Sequence, residues 1–308
     1  MSAPDAEWRW PLEGRLDVVA SLRFLRMGPH DRTKRVMRDQ VWLATRTHSG
    51  PVTLCLRAPG REAVVRGWGA GVEAIAPALP ALLGLHDDPT ALVPRHRTVE
   101  QLARDHPGLR LTRAPNLFEV LVTMVLQQRV KFEDAAAGYL ALTRRYGDPA
   151  PGPERLRLPP DPARLAALPY YAYHPCGIER RRAETLRRIS MHRAKVAQWA
   201  SEAQDSAGYR RLYARLLAMS GLGPWTVGMT AGFGIGDPDA LVCGDFHLPN
   251  VVAWALSRKP RGDDAMMMRC LEPYRGQRWR VVRLLFAGGV HAPRYGAKRA
   301  SPPWMLAR

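Results

Sequence analysis

The stretch LLAMSGLGPWTVGMTAGFGIGDPDALVCGD, residues 216–245, decides how this chain is interpreted. A Gly-x-Gly turn, Gly221 to Gly223, separates two apolar segments of helical character, and Asp245 follows 22 positions after Gly223. The N–H groups of such a turn, and of a helix that begins at Pro224, can form an anion site that needs no side chain. The turn can therefore bind a phosphate backbone, and Asp245 can supply a carboxylate to a reaction. Together they indicate chemistry on DNA.

The chain carries a large excess of positive charge. Its 308 residues include 46 Lys and Arg against 28 Asp and Glu, a formal net charge of +18 at pH 7. Such a surface favours a polyanion, most commonly nucleic acid. An anionic membrane is the rival partner, but the sequence contains neither a basic amphipathic anchor nor a long apolar run. The opening MSAPDAEWRWPLEG is not a signal peptide, so we expect a cytoplasmic protein, nucleoid-associated if bacterial.

The four cysteines predict no metal site and no redox cofactor. Cys55, Cys176, Cys243 and Cys270 are scattered, with no Cys-x-x-Cys pair among them. Zinc ribbons and four-cysteine iron–sulfur loops both need close local spacing. We expect reduced, mostly buried thiols.

The first part of the chain, residues 1–95, is predicted to form a small antiparallel β domain. Four short apolar or alternating runs are separated by turn signals such as His-Ser-Gly-Pro and Ala-Pro-Gly. These runs are residues 16–24, 40–47, 51–56 and 63–67. The Ala- and Leu-rich segment 71–85 is expected to be helical, with interruptions at Pro77 and Pro80.

Residues 96–290 are predicted to be all helical, with the hairpin at 211–234. Asn116 and Glu119 suit a capping box ahead of an apolar central helix over 117–126. Further helices are expected over 131–146, 178–203 and 209–219, the second of them strongly basic. The basic segment 291–308 is expected to be a loosely ordered tail. The fold class is thus α+β, mainly α.

Local pattern leaves two alternatives open for each part of the decisive stretch. The Gly-x-Gly turn is also typical of a plain helix–turn–helix corner with a glycine cap. Asp245 lies just before a helix predicted over 249–256, where aspartate is a common N-cap. A helix start also stabilises a carboxylate as the anion. Such a group can support cleavage of an N-glycosidic bond, in which positive charge builds on the sugar and water attacks.

Three segments resemble the helix–hairpin–helix superfamily of DNA glycosylases, and within it the branch of 3-methyladenine DNA glycosylase II, the alkylbase glycosylases. They are LAMSGLGPWTV (217–227), NLFEVLVTMVLQQ (116–128) with the helix after it, and ERRRAETL (179–186). The resemblance covers roughly residues 15–290 and is strongest over 110–250. It implies that the first segment is the β domain of this branch, which is similar to TATA-binding protein.

Carried over to this sequence, the resemblance implies that Asp245 is the catalytic aspartate. Gly221, Leu222 and Gly223 would hold a DNA phosphate, together with Thr226. Members that also cut the DNA backbone carry a Schiff-base lysine two positions after the second glycine, where this chain has Trp225. The resemblance therefore implies a monofunctional enzyme. Trp225 could instead stack on an extruded base, or simply pack in the core behind the hairpin.

The turn after the central helix is a second candidate for DNA contact. Leu126, Gln127, Gln128 and Arg129 match the turn that faces the DNA gap in the family, where an apolar or amide side chain can wedge into the stack. Leu126 and Gln127 are the candidate wedges, although polar residues that merely close a helix fit the same pattern.

Other candidate site residues lie in the tyrosine-rich loop, after Asp245 and on the basic helix. The loop is more aromatic than the family pattern, and it could reshape base selectivity or could only pack locally. The candidates for the base pocket are Phe246, Tyr171, Tyr173 and His174. Arg181 and Arg182 are expected to contact phosphates or to form a solvated face.

These observations predict a monomeric, monofunctional glycosylase that needs no cofactor. It would flip a damaged base, by default an alkylated purine, from double-stranded DNA and leave an abasic site. Three alternatives stay open: a glycosylase for a bulky or unusual base, a non-catalytic DNA-binding protein in which Asp245 is only a cap, and a glycosylase-lyase of the oxidised-guanine type.

Overall fold

The computed structural model describes residues 3–293, so only the first part of the predicted tail 291–308 falls within it. The chain begins with a five-stranded antiparallel sheet of order β1-β5-β4-β3-β2. The strands are β1 (Ala6–Pro11), β2 (Lys34–Val36), β3 (Gln40–Thr47), β4 (Gly50–Arg57) and β5 (Glu62–Trp68). Three short helices accompany the sheet: α1 (Val18–Leu22), α2 (Val72–Ile75) and α3 (Leu79–Leu83).

The sheet confirms the predicted N-terminal β structure but differs from it in one element. Residues 16–24, expected as a strand, form α1 and a 3₁₀ turn over Arg23–Leu25. The Asp17 carboxylate caps α1 by accepting the Ala20 N–H, and the buried residues at positions 18, 21 and 22 have helical spacing. The edge strands β1 and β2 are absent from the sequence prediction.

Both faces of the sheet are covered. One face buries a cluster that includes Leu54, Leu56, Leu79 and Leu82, because α2 and α3 pack on it. On the other face Trp42 and Trp68 stack at 5.1 Å between ring centroids, and the proline-rich connection 149–160 covers them with Leu156 and Leu158. Apolar burial on both faces stabilises a sheet that would otherwise expose half of its side chains.

The rest of the described chain is helical, as the sequence predicts. The helices are α4 (Arg97–Asp105), α5 (Leu117–Leu126), α6 (Phe132–Tyr146), α7 (Pro162–Ala167), α8 (Arg180–Met191), α9 (Arg193–Glu202), α10 (Ser206–Leu217), α11 (Pro224–Thr230), α12 (Leu248–Ser257), α13 (Asp264–Leu271) and α14 (Arg278–Ala287). The helix expected over 178–203 is two helices, α8 and α9, divided at His192. The His192 Nδ1 contacts the Arg188 carbonyl oxygen at 3.0 Å, at the end of α8. In residues 3–293 no helix has the length and apolar character to cross a membrane.

Helix α5 is the centre of the helical core, and nearly all of its residues are buried. The Asn116 side chain accepts the Phe118 N–H and caps the helix, as predicted. The half-buried Glu119 carboxylate accepts the Thr45 hydroxyl of β3 at 2.7 Å, which joins the helical core to the sheet. Burial away from water raises the pKa of Glu119 above its ordinary value.

Candidate active site

The turn between α10 and α11 requires glycine at one position. Gly221 has φ of +94°, and a Cβ there would lie 2.3 Å from the Thr185 hydroxyl oxygen of α8. Leu222 is buried and anchors the turn in the core. Gly223 has φ of −100° and ψ of 176°, an extended conformation open to any residue. Nothing lies within 4 Å of a Cβ built on Gly223.

The hairpin is tied to the turn that follows α5. The Gln128 side-chain amide donates to the Gly221 carbonyl oxygen at 2.9 Å and to the Thr226 hydroxyl at 2.8 Å. Thr226 is only 2% exposed, so the expected contact of this residue with a DNA phosphate would have to come from its backbone N–H group and not from its side chain. From the other side, the Arg188 guanidinium donates to the Ser220 carbonyl oxygen at 2.7 Å. These bonds hold the hairpin rigidly against α5 and α8.

Asp245 lies in the loop between the hairpin and α12, and three N–H groups donate to its carboxylate. Its Oδ1 accepts the backbone N–H groups of His247 and Leu248, each at 2.7 Å. Its Oδ2 accepts the indole N–H of Trp225 at 2.7 Å. A carboxylate has about four lone-pair directions, so roughly one is left for a reacting group or water. Asp245 therefore caps the start of α12 and also keeps a half-exposed face towards solvent.

Trp225 holds Asp245 from the start of α11. The indole is half-buried and packs against the helical core, and its only polar hydrogen points at the carboxylate. Its position two residues after Gly223 is the one where a Schiff-base lysine would stand in a lyase. An indole can neither form a Schiff base nor change its charge in this place.

Two acidic side chains help to fix the part of the loop that precedes Asp245. The Asp264 carboxylate of α13 accepts the Gly244 N–H at 2.8 Å, where Gly244 has φ of +81°. Farther back, the buried Asp237 accepts the Tyr213 hydroxyl at 2.6 Å. Burial raises the pKa of Asp237, although the Tyr213 hydrogen bond acts in the opposite direction. The loop that carries Asp245 is thus held at several points by groups from other helices.

The structure changes the assignment of the turn after α5. Leu126 is fully buried, so it cannot wedge into a base stack, and that prediction is wrong. The Gln127 amide folds back on its own helix and donates to the Thr123 carbonyl oxygen at 3.1 Å. Gln128 is occupied by the hairpin. Arg129 alone of the four projects from the turn as an exposed side chain, with φ of +57°.

The aromatic candidates do not form one pocket. Tyr173 is fully buried and its hydroxyl donates to the Leu165 carbonyl oxygen at 2.6 Å, so it belongs to the helical core and its assignment to the pocket is wrong. Tyr171 and His174 are exposed on a 3₁₀ segment, Tyr170–Cys176, that packs on α6 and α8. Phe246 is 83% exposed beside Asp245. Of the four, only Phe246 adjoins the carboxylate in the described structure.

The two arginines of α8 have different roles. Arg181 is exposed, as a phosphate contact requires. Arg182 is 3% exposed, and its guanidinium donates to the carbonyl oxygens of Leu126 at 2.8 Å and Gly177 at 3.3 Å. Arg182 therefore satisfies backbone groups at the end of α5, and its assignment to DNA is wrong. Among residues 3–293 no group of three or more His, Cys, Asp or Glu side chains is arranged to hold a metal ion.

The comparison with protein families agrees with this architecture. The family described as HhH-GPD superfamily base excision DNA repair protein matches residues 122–275, half of the chain, including the hairpin and Asp245. This chain belongs to the HhH-GPD superfamily. The resemblance inferred from the hairpin and the α5 segment is thereby confirmed at the level of the superfamily.

A curated relative is similar to about half of this chain. A curated relative from Mycobacterium tuberculosis, named "Probable bifunctional transcriptional activator/DNA repair enzyme AlkA", is 30% identical over 184 residues, which are 54% of this chain. The match spans only about a third, 34%, of that relative's length.

Two solved structures share the fold. The 3-methyladenine DNA-glycosylase from Archaeoglobus fulgidus superposes with a TM-score of 0.74 at 19% identity, over 91% of this chain and 97% of that one. The Clostridium acetobutylicum 8-oxoguanine glycosylase/lyase in complex with double-stranded DNA superposes with a TM-score of 0.62 at 12% identity, over 83% and 97% of the two chains. The α+β, mainly α fold class with an N-terminal β domain is confirmed.

Several residues of this HhH-GPD site are not predicted by the sequence. Asp264 and Tyr213 support the Asp245 loop, and Arg188 supports the hairpin. Asp264 follows its partner Gly244 by 20 positions and lies on a different helix. In the sequence Asp264 is only one of two adjacent aspartates, with Asp263, at the start of a helix. The bond from Trp225 to Asp245 is likewise without a local signal.

Proposed function

We propose that this protein is a monofunctional DNA glycosylase that hydrolyses the N-glycosidic bond of an alkylated purine in double-stranded DNA and leaves an abasic site. The observation that carries the proposal is the Asp245 carboxylate, half-exposed in the loop after the hairpin and held by the Trp225 indole where a lyase needs lysine. The Mycobacterium relative and the Archaeoglobus structure, both named for DNA repair or 3-methyladenine, favour the alkylbase branch over the oxidised-guanine branch.

The chemistry that Asp245 performs follows from its charge and position. When the bond between C1′ and the base nitrogen breaks, its electron pair leaves with the base and C1′ becomes positive. The carboxylate stabilises that charge in a fixed orientation, and water adds to C1′ and loses a proton. An alkylated purine already carries a positive charge and departs neutral, so it needs little further help from the protein.

DNA binding is assigned to groups that remain available in the structure. We assign phosphate contact to the backbone of Gly221 and Gly223 and to the exposed Arg181. We assign to Arg129 the contact with the gap that the flipped base leaves in the DNA. Phe246, exposed next to Asp245, is assigned to the flipped base. These assignments replace Leu126, Thr226 and Arg182, whose side chains are buried.

The proposal is tested on duplexes that each carry a single lesion: 3-methyladenine, 7-methylguanine, 8-oxoguanine or none. We expect free alkylpurine by mass spectrometry, strand breaks only after alkali, and no covalent adduct with borohydride. Breaks without alkali, or a borohydride adduct, would show a lyase and refute monofunctionality. DNA binding without release of any base would support the non-catalytic alternative.

A further inference from the structure

The tyrosine-rich segment Tyr170–Cys176 presents an aromatic patch to solvent. We define this aromatic patch as Tyr170, Tyr171, His174 and Arg180. The Tyr170 ring lies edge-on to Tyr171, with centroids 5.8 Å apart, and edge-on to His174, with centroids 5.5 Å apart. The Arg180 guanidinium lies 4.6 Å from the Tyr170 centroid, within cation–π distance. Tyr171 is 63% exposed and His174 is also exposed.

The segment does not need these exposed rings for its own packing. Tyr173 and Cys176 are buried and anchor it in the helical core. The Tyr173 hydroxyl donates to Leu165 and the Tyr146 hydroxyl donates to the Ala172 carbonyl oxygen at 3.1 Å. The Tyr171 ring contacts Tyr170 edge-on and otherwise stays exposed, so its face is open to a ligand.

The aromatic patch and the hairpin both contact helix α8. Arg182 links Gly177, at the end of the segment, to Leu126, directly before the turn that Gln128 ties to the hairpin. Helix α8 connects the same two regions. Its Arg180 covers Tyr170, while Thr185, one turn and a half farther on, contacts Gly221. Five residues along a helix correspond to a net rotation of about 140°, so the patch and the hairpin contact different sides of α8.

The charges around the patch are mixed, with cations in excess. Arg180 pairs with Glu184 at 2.7 Å, and Glu179 lies at the start of α8. The first two turns of α8 hold four arginines, including the exposed Arg181 and the buried Arg182, and a single glutamate, Glu184. Aromatic faces beside arginine suit nucleotides, since bases stack on the rings and phosphates contact the cations.

We propose that the aromatic patch is a second DNA contact, which binds an unpaired nucleotide by stacking its base on Tyr171 while the arginines of α8 contact the adjacent phosphate. The site is distinct from Asp245, and it takes a base that has left the helical stack elsewhere than at the lesion. A paired duplex offers no free base face, so the patch distinguishes DNA with unpaired nucleotides from fully paired DNA. This inference rests on the proposed function only in taking DNA as the ligand.

Equilibrium binding of undamaged DNA tests the patch without any reaction. The probes are two fluorescein-labelled 21-mers, one fully paired and one with a central bubble of three thymines, measured by fluorescence anisotropy. The full-length protein is compared with Tyr171→Ala and with Val93→Ala, a control at another exposed apolar side chain. Since stacking on an aromatic ring contributes about 1–3 kcal/mol per base, Tyr171→Ala should weaken bubble binding about fivefold or more. Binding to the paired duplex should change less than twofold, and Val93→Ala should change neither.

The arginine of the patch has a close match elsewhere in the chain. Arg104 is also exposed and also pairs with a glutamate one turn away, Glu100. Arg180→Gln should lower bubble affinity at least threefold, whereas Arg104→Gln should not. A bubble containing 5-iodouracil should cross-link, under ultraviolet light, to the tryptic peptide that contains Tyr171.

The outcomes separate this inference from the proposed function. Equal losses on both probes, no loss on either, or cross-links only outside the patch would overturn the patch as an unpaired-nucleotide site. A patch that binds a protein partner and not DNA would give the second of these outcomes, no loss of affinity for either probe. If the native chain prefers the bubble yet releases no base from any lesion duplex, the proposed function fails while the patch stands.

Discussion

The indole N–H of Trp225 donates a 2.7 Å hydrogen bond to Oδ2 of Asp245, while two backbone N–H groups hold Oδ1 of the same carboxylate. Trp225 thus acts as a hydrogen-bond donor that positions the Asp245 carboxylate. Trp225 comes from the first turn of α11 and Asp245 from the loop before α12, so the bond also fixes the distance between the hairpin and the Asp245 carboxylate.

Replacing Trp225 with Phe should slow the reaction without weakening DNA binding. Phenylalanine keeps an aromatic ring against the core but removes the donor to Asp245, and a hydrogen bond to a charged group contributes about 1.5–3 kcal/mol. We expect the single-turnover rate on alkylated duplex to fall about tenfold or more, with less than a twofold change in Kd. Trp199→Phe, a half-buried tryptophan of α9, is the matched control. An unchanged rate in Trp225→Phe would show that the bond does not orient the carboxylate.

Substitution by alanine should affect mainly stability at Gly221 and mainly DNA affinity at Gly223. Gly221→Ala places a Cβ against Thr185 at a positive φ, so the free energy of unfolding should fall by more than about 2 kcal/mol. Gly223→Ala meets open space in an extended backbone, and the loss should stay under about 1 kcal/mol. A Cβ on Gly223 would stand between the hairpin and a bound phosphate. Gly223→Ala should therefore stay folded and bind DNA more weakly. Urea unfolding and anisotropy measure the two effects, and normal DNA affinity in Gly223→Ala would argue against the phosphate assignment.

Two substitutions of Arg129 separate the effect of its backbone conformation on stability from the effect of its charge on DNA binding. At φ of +57° any residue with a Cβ is destabilised by steric contacts that glycine avoids. The free energy of unfolding of Arg129→Gly should therefore be about 1 kcal/mol higher than that of Arg129→Ala. Both variants lose the same cation and should weaken DNA binding equally. Each should also lower the slope of log affinity against log salt by about one. A difference in DNA affinity between the two variants would mean that the shape of the turn, and not the guanidinium, determines binding.

Glu119 should make stability depend on pH. Burial raises its pKa in the folded protein, so above pH 4.5 the folded state holds the proton more tightly than the unfolded state. The contribution of this carboxyl to stability is therefore greatest at low pH and is lost as pH rises through the folded pKa. Glu119→Gln keeps an oxygen for Thr45 and removes the titration, so its unfolding free energy, relative to that of the native chain, should rise between pH 5 and pH 8. Glu100→Gln, at an exposed site of α4, should leave the pH profile unchanged. Parallel profiles for native and Glu119→Gln would contradict the prediction.

Local signals predict most of the helical core and much of the sheet. The Asn116 cap, the apolar run of α5 and the start of α11 at Pro224 each depend on residues within a turn of one another. Strands β3, β4 and β5 also follow from their alternation and the turns between them. The segment 16–24 is wrong as a strand because the Asp17 cap outweighs its apolar character, and β1 is missed although Trp8 and Trp10 alternate with exposed residues.

The site is predicted less completely because its contacts join distant residues. The sequence places Asp245 after the hairpin, but the indole that holds it is 20 positions away. The bond from Arg182 to Leu126 spans 56 positions and that from Gln128 to Gly221 spans 93, so the burial of these side chains cannot be predicted from local pattern. A basic helix and a polar turn look alike whether their side chains face DNA or neighbouring backbone.

The most direct test of the account is the single-turnover release of base from a duplex with one 3-methyladenine, compared between the native chain and Asp245→Asn. Asparagine keeps an oxygen for the N–H groups of His247 and Leu248, so α12 should stay capped and DNA affinity should change less than twofold. We expect the native chain to release the base and Asp245→Asn to release it at least a hundredfold more slowly, because the charge that stabilises the sugar is gone. Equal rates in the two proteins, or no release by the native chain, would contradict the assignment of Asp245 as the catalytic residue.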